Sequence, residues 1–558
     1  MFPAMHSRFG HYCLLLCVAA LLFLPALGAA SLWDIDEGHN AEAAREMLER
    51  GDWIVPQFNY QLRVDKPVLL YWLQLAAYHA FGVGEFGARL PSALAAMLTV
   101  LLTYEIARRL FDSATALLAG LVLASALLVC GSAHFANPDA LLNLCTTLTF
   151  LFFIHGCFVA RCTRSNWLLW IGLSTGLGFL AKGPVALVLP STVIGLFLIW
   201  TGQLRQLLSW RLPAGLFVWA LVGLPWFALV GSETKGEFLR GFFLKHNKDR
   251  FLAAMEGHSG PLWYHAVSLF LGMLPWSVFL VPALCHAWRQ YRAPKLEAEP
   301  TPAMLDRRQA MQFLACWIGV YFVFFSISQT KLPGYILPLY PAVALVIACF
   351  LEAWRRAEIT LPRWVMPTSV AALAVVGLAV GVGLLAAGDV VRLPIRQRQH
   401  FMGMERGVWL GLLPLLGAAA AAWALRRQDR TAVVNSVAAC AVAFISALAI
   451  WGTVALDAHK APRALVASAQ ARQLHDEVRI GAYEWWQPSL VFYCQREVKS
   501  LIGEQQALDF LQTPLQVFLF VPAKVWADLE TKAAGSHRLL ARHWCFYRNC
   551  EVVVVTNR

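Results

Sequence analysis

Three carboxylates stand within four residues in Trp33-Asp34-Ile35-Asp36-Glu37, directly after an apolar run at 12–30. Crowded at the mouth of a helix, they raise one another's pKa unless a cation or a charged substrate compensates. A solvated acidic turn is the alternative. Asp65-Lys66-Pro67 leads into Leu69-Leu70-Tyr71-Trp72. An ammonium there can meet a lipid phosphate; the alternative is a snorkelling lysine, with Tyr71 and Trp72 in an interfacial aromatic belt. Asn137-Pro138-Asp139 opens a further apolar segment, where a carboxylate can simply cap a helix N-terminus. Lys182, in Ala181-Lys182-Gly183-Pro184, and Lys331, in Gln329-Thr330-Lys331-Leu332-Pro333-Gly334-Tyr335, sit in turns that need no lysine. Together with Lys66 at one membrane face they suit an anionic lipid headgroup. His246-Asn247-Lys248-Asp249-Arg250-Phe251 is the sixth polar cluster.

Metal chemistry has little support in the spacing. His246, His258 and His265 do not stand at tight ligand intervals. Asp65 and His246 are the weak candidates for a divalent ion beside a phosphate. The sequence has no phosphate-binding P-loop, no dinucleotide fingerprint in strand–helix context and no nucleophile elbow, which argues against an ATP-driven pump.

The elements that must position these groups are membrane helices. Of the 558 residues, 58% are hydrophobic and only 14% charged, against about 25% charged in a soluble domain. That excess must face lipid, and its long unbroken runs exclude an outer-membrane barrel. Apolar stretches fall at 12–30, 89–110, 114–132, 140–160, 167–181, 184–201, 212–230, 262–286, 310–327, 335–353, 365–387, 407–425 and 432–455, about thirteen spans. Basic residues follow every second one: Arg108 and Arg109, Arg161 and Arg164, Arg205 and Arg211, Arg289 and Arg292, Arg355 and Arg356, Arg426 and Arg427. The positive-inside rule then places the N-terminus in the cytoplasm and the C-terminal tail outside, and it accounts for much of the +12 net charge without nucleic acid. The first run, after Arg8, also has features of a signal peptide, but its uncharged stretch is long and more spans follow; an uncleaved helix is the favoured reading. Residues 294–302 read as a cytoplasmic linker.

The expected organisation is a transmembrane catalytic domain at 1–455, with outer loops at 31–88 and 231–261, and a small α/β domain at 456–558. In the tail, Arg463–Leu474, Gln505–Leu511 and Lys524–Ala534 read as helices. Val478–Tyr483, Leu490–Tyr493, Leu515–Val521 and Glu551–Thr556 read as strands. Cys545 and Cys550 could pair if the tail lies in an oxidising compartment.

The order of these motifs resembles the membrane-embedded, lipid-linked glycosyltransferases of the C-type superfamily. Within them it is similar to the aminoarabinose transferases of lipid A. The resemblance rests on the Asp-Glu after the first helix and on Arg45-Glu46-Met47-Leu48 with Gly51-Asp52-Trp53-Ile54-Val55-Pro56. Lys66-Pro67, Tyr71-Trp72, Lys182-Gly183, and His246 with Arg250-Phe251 follow. Pro261-Leu262-Trp263-Tyr264, Leu274-Pro275-Trp276 and Lys331-Leu332-Pro333-Gly334-Tyr335-Ile336-Leu337 complete the series. It covers about residues 30–350. Three positions depart from it: the extra carboxylate Asp34, Asp65 where Glu is expected, and His258-Ser259-Gly260 where a basic residue is expected.

The resemblance implies a polytopic α-helical enzyme of the bacterial inner membrane. It would transfer 4-amino-4-deoxy-L-arabinose from undecaprenyl phosphate to a lipid A phosphate at the periplasmic face. Its partners are that donor, lipid A and membrane lipids, and no cofactor is required. Asp36 and Glu37, with Asp139, are the implied catalytic carboxylates. Lys66, Lys182, Lys331, Tyr335 and Arg250 are the implied ligands of the lipid phosphate. Asp36 would orient the acceptor or pair with the sugar ammonium; Asp139 would hold that ammonium or a lysine. A one-step displacement with inversion follows, and the added amine would weaken attraction of cationic peptides such as polymyxin. Two rivals stay open: transfer of another polyprenyl-linked sugar to a protein hydroxyl, and a lipid transporter with no chemistry. A transporter would show polar residues at mid-membrane depth and related halves, whereas here they gather at one face.

Overall fold

The structure is a computed structural model and describes residues 8–156, 166–207, 209–253, 258–292, 307–391, 401–472, 477–533 and 535–558. The expected linker at 294–302, the end of the 140–160 segment with Arg161 and Arg164, and the last residues of the 463–474 stretch lie outside them.

Long apolar runs become helices because inside a bilayer only a helix satisfies its own backbone. Among the described residues seven helices are long and apolar enough to cross a membrane, Glu85–Leu110 and Pro333–Arg355 among them. Two bent pairs, Ser113–Ala124 with Leu127–Ala133 (63°) and Tyr264–Gly272 with Trp276–Arg292 (112°), raise the number to nine if each is one span. Length and composition alone thus support up to nine of the thirteen expected. The other four apolar segments form Arg8–Phe23, Asp139–Ile154, Trp167–Lys182 and Val185–Trp200, each of 16 residues. At 1.5 Å per residue such a helix reaches about 24 Å, short of the roughly 30 Å hydrocarbon layer. At the basic ends, Arg108 and Arg109 bond Glu105, and Arg355 and Arg356 bond Glu352.

Between the helices Arg8–Phe23 and Glu85–Leu110 the chain forms the acidic helix Asp36–Arg50 and a hairpin of β1 (Gln57–Phe58) and β2 (Gln61–Leu62). The sequence DEGHNAEAAREMLER looks like a solvated helix, yet Glu37, Asn40, Glu42, Arg45 and Glu46 are all buried. Part of this charge is matched within the helix: Arg45 bonds Glu42 through two nitrogens (2.7 and 2.8 Å) and Glu49 through a third (2.8 Å).

The cover on this helix comes from the other end of the chain. Strands β3 (Val478–Tyr483), β4 (Val498–Leu501), β5 (Gln516–Pro522), β6 (Arg538–Cys545) and β7 (Cys550–Thr556) form one sheet in the order β4-β3-β5-β7-β6. β3 runs parallel to β4 and β5, with Ile480 opposite Val498 and Phe518; β7 runs antiparallel to β5 and β6. The central β5 is apolar on both faces. Phe518 and Phe520 join a core with Leu465 and Leu490, whereas Val517, Leu519 and Val521 join one with Phe510 and Trp526. Leu490–Tyr493, expected as a strand, lies in the helix Pro488–Cys494: Pro488 sits in its first turn and Gln495 ends it in the left-handed region. β4 and β6 were not expected; both are edge strands with little apolar patterning. Cys545 and Cys550 face each other across the β6–β7 turn, and both are thiols.

The sheet is fastened to the acidic helix at close range. The Asn59 side chain pairs with the backbone of β4, donating to Val498 O (3.0 Å) and accepting from Val498 N (2.9 Å). A Cβ on Gly38 would stand 2.5 Å from Ser489 N. Gly38→Ala must therefore separate the helix from the sheet. We expect a loss of about 1–3 kcal/mol, seen as a lowered midpoint in thermal unfolding in detergent; an unchanged midpoint would show that the contact is soft.

Candidate active site

Glu37 is fully buried and all its acceptor capacity is used. Oε1 accepts from Arg89 Nε (2.9 Å) and Ala136 N (2.6 Å); Oε2 accepts from Arg89 Nη2 (2.8 Å) and Trp33 N (2.7 Å). Arg89 also donates to the carbonyls of Leu27, Ala30 and Ser31. Expected among the catalytic carboxylates, Glu37 instead ties the acidic helix to two membrane segments.

Asp36, one residue earlier, is the first residue of that helix and is only partly buried. It acts electrostatically on His39, Arg63 and Tyr71. Arg63 is buried and divides its donors between Tyr71 Oη (3.0 Å), Asn40 Oδ1 (3.2 Å) and Asp65 Oδ2 (3.1 Å). Asp65 Oδ1 meets His246 Nε2 at 2.8 Å. Burial opposes ionisation of Asp65, but His246, Arg63 and Lys66 together hold its carboxyl well below the usual carboxylate range. Burial, reinforced by Arg63, pushes His39 down to about 3, so that imidazole is neutral. Asp65 and His246, the weak metal candidates, thus pair with each other; among the described residues no group of three His, Cys, Asp or Glu is placed to hold a metal ion.

A second pair comes from other segments. Lys182, at the end of Trp167–Lys182, makes an ion pair with Asp139, at the start of Asp139–Ile154. Asn137 braces that carboxylate, donating to Asp139 Oδ2 (3.2 Å) and accepting from Asp139 N (2.9 Å). Pro138, not Asp139, occupies the cap position of this helix, and no side chain caps it. Lys182 Nζ stands 4.8 Å from the Tyr335 ring centroid, a cation–π contact. A Cβ on Gly334 would lie 2.7 Å from Asp139 Oδ2, which explains the glycine before Tyr335.

Both pairs open on a cavity of about 480 Å³. Its polar lining holds Asp65, Lys66, Lys182, His246, Asn247, Ser328 and Tyr335; most of the rest is apolar, with Val188, Leu189, Phe242, Phe251 and Phe324. Cations beside a greasy recess fit an amphiphile with an anionic head. Lys331 is elsewhere. It is buried and donates to the carbonyls of Ser326 and Ser328, both at 2.7 Å, so it holds its own turn and does not line the cavity. Asp36 is not on the cavity wall either; Arg63 and Asp65 connect the two. Arg250 begins the short helix Arg250–Leu252, and its side chain lies outside the described ones.

The sequence reading missed Arg63 and Arg89 and gave Tyr71 no partner, with an interfacial aromatic belt as its alternative place. A signal was present: both arginines oppose the positive-inside trend at the same face, as Lys182 and Lys331 do. The third missed group, Asn40, had none.

A helical membrane body with a buried charged helix and a cation-lined cavity fits the C-type membrane glycosyltransferases. Residues 65–229 match the family described as dolichyl-phosphate-mannose-protein mannosyltransferase. The crystal structure of ArnT from Cupriavidus metallidurans bound to undecaprenyl phosphate superposes with a TM-score of 0.78 at 25% identity, covering 99% of both chains. More narrowly, the chain belongs to the undecaprenyl phosphate-alpha-4-amino-4-deoxy-L-arabinose arabinosyl transferases. It is 30% identical to the Yersinia pestis (strain Pestoides F) protein of that name over 408 residues, 71% of this chain and 68% of that one. It is 36% identical to the Pseudomonas aeruginosa (strain LESB58) protein of that name over 338 residues, 60% of this chain. That match spans 58% of the Pseudomonas protein, less than two thirds of its length.

Asp34, the extra carboxylate, lies at the contact with the sheet, where Ser489 N and Oγ each donate to it at 2.7 Å. Burial pushes its pKa up to about 7, against the lowering by Ser489 and Lys460 and with a small raise from Glu37. A folded value above the ordinary one, about 3.9, means that folding favours the protonated form. That contribution is complete below about pH 4 and is lost as pH rises through about 7. Asp34→Asn, neutral throughout, lacks it. We therefore expect the wild-type unfolding midpoint to fall more steeply between pH 5 and 8 than that of Asp34→Asn; parallel curves would refute the assignment.

Proposed function

We propose that the chain transfers 4-amino-4-deoxy-L-arabinose from undecaprenyl phosphate to a lipid A phosphate at the periplasmic face of the bacterial inner membrane. The observation that carries this is the cavity, with Lys66, Lys182 and Tyr335 at its polar end and an apolar recess behind them. It is supported by the likeness over nearly the whole chain to a structure holding undecaprenyl phosphate. In this reading the apolar segments make thirteen passes, the N-terminus is cytoplasmic, and the loops and the α/β domain at 456–558 are periplasmic.

An oxygen of the acceptor phosphate attacks C1 of the sugar. The bond from C1 to the donor phosphate breaks, and its electron pair leaves with undecaprenyl phosphate. Positive charge grows on the sugar and negative charge on the leaving oxygen. Fixed cations at that oxygen stabilise the transition state without reorganising. Lys66 and Lys182 fill this role, Lys182 being aimed by Asp139 and Tyr335. The acceptor phosphate, with a second pKa of about 6, is already largely anionic and needs little proton abstraction. Asp36 then orients the nucleophile or holds the sugar ammonium, and Glu37 fixes the helix that carries it. The chemistry needs no cofactor. The amine so added reduces the negative charge that draws polymyxin and other cationic peptides to the surface.

The match of residues 65–229 to protein mannosyltransferases gives the second reading, transfer to a protein hydroxyl. Lipid A mass separates the two. In cells with the donor pathway, the wild type should add one aminopentose to lipid A. Asp36→Asn should insert equally well and lose about 100-fold or more in activity. Near-normal modification would remove Asp36 from the mechanism, and unmodified lipid A with wild-type protein would favour the second reading. The same product should show an inverted anomeric centre by NMR; retention would overturn the one-step route.

A further inference from the structure

Three of the residues just before Asp36 have backbone groups held by the C-terminal part of the chain. Ser31 N donates to Asp457 Oδ1 (2.6 Å), and Ser31 O accepts from Lys460 Nζ (2.8 Å). Leu32 N donates to Tyr493 Oη (2.7 Å), and Asp34 N to Tyr547 Oη (3.0 Å). The Asp34 carboxylate completes the series by accepting from both Ser489 N and Ser489 Oγ. Ser489 is buried and is absent from the cavity wall, so its hydroxyl is directed at Asp34 and away from any substrate. On the far side of Asp36, Glu37 is fixed by Arg89 and Ala136. Asp36 is therefore bracketed: one carboxylate two residues before it and one directly after it are both immobilised, the first by the sheet domain and the second by the membrane helices.

We infer that Ser489, acting through Asp34, is a positioning residue for Asp36, so that the C-terminal domain sets reaction geometry in the membrane domain. The inference rests on the role given to Asp36 above. Misplacing a reacting group by about 1 Å costs up to roughly 100-fold in rate with little effect on ground-state binding.

The test is steady-state kinetics of the full-length enzyme with the polyprenyl-linked donor and lipid A. Ser489→Ala should lower kcat about ten- to 100-fold with the donor KM unchanged, and Ser489→Thr, which keeps the hydroxyl, should recover most of it. Wild-type kcat in Ser489→Ala overturns the inference. So does a loss that lies in KM, or one accompanied by a lowered unfolding midpoint that Thr does not restore. If Ser489→Ala does not fold, Tyr547→Phe, which removes the acceptor for Asp34 N, should show the same loss confined to kcat; normal turnover there also overturns it. Asp36→Asn measured alongside separates the two levels. If it is active, the role of Asp36 fails; if it is inactive while Ser489→Ala turns over normally, only the positioning claim fails.

Discussion

The buried pair of Glu37 and Arg89 is the constraint on which the rest of the site depends. A carboxylate with no exposure is costly unless every lone pair is met, and here two guanidinium bonds and two backbone amides meet them. Because Arg89 also gathers three carbonyls from the end of the preceding segment, one ion pair fixes three stretches of chain at once. Breaking either partner would strand a charge in a dry interior. The acidic helix can therefore occupy one position only, and Asp36 inherits that position.

The cavity is organised by a similar economy of charge. Asp65 and Asp139 are each paired, one with His246 and Arg63, the other with Lys182. The carboxylates aim the cations more than they cancel them, because Lys66 and Lys182 still face the recess. A bare row of lysines would repel itself and swing toward water. Lys182, tethered to Asp139, stays directed at the cavity, so an anionic headgroup bound there would not have to order it.

Much of this was legible in the sequence, and the gaps have physical causes. Long apolar runs show their helices directly. Lys182 stood out as a lysine in a turn against the charge trend and Lys66 as one before an interfacial aromatic stretch, and both line the cavity. Lys331 met the same criterion and proved to brace its own turn: charge trend selects a face of the membrane, not a direction for a side chain. The burial of Asp36–Arg50 was invisible, because its cover lies more than 400 residues away in the chain and local pattern cannot report a distant lid. The helix at Pro488–Cys494 was misread for a related reason. Its short apolar run, Leu490–Tyr493, fits either a strand or a buried helix, and only tertiary packing decides between them.

The pairing of Asn59 with β4 has a bearing on how the edge of the sheet is protected. An edge strand exposes unpaired amides and carbonyls that invite another strand. On the β4 side of the sheet, a loop amide supplies a substitute rung of the ladder at Val498. The sheet is thus finished by a residue that belongs to the membrane half. Severed from that half, it would carry an unsatisfied rim, open to register slippage and self-association. The protection of this edge is in this sense a property of the whole chain.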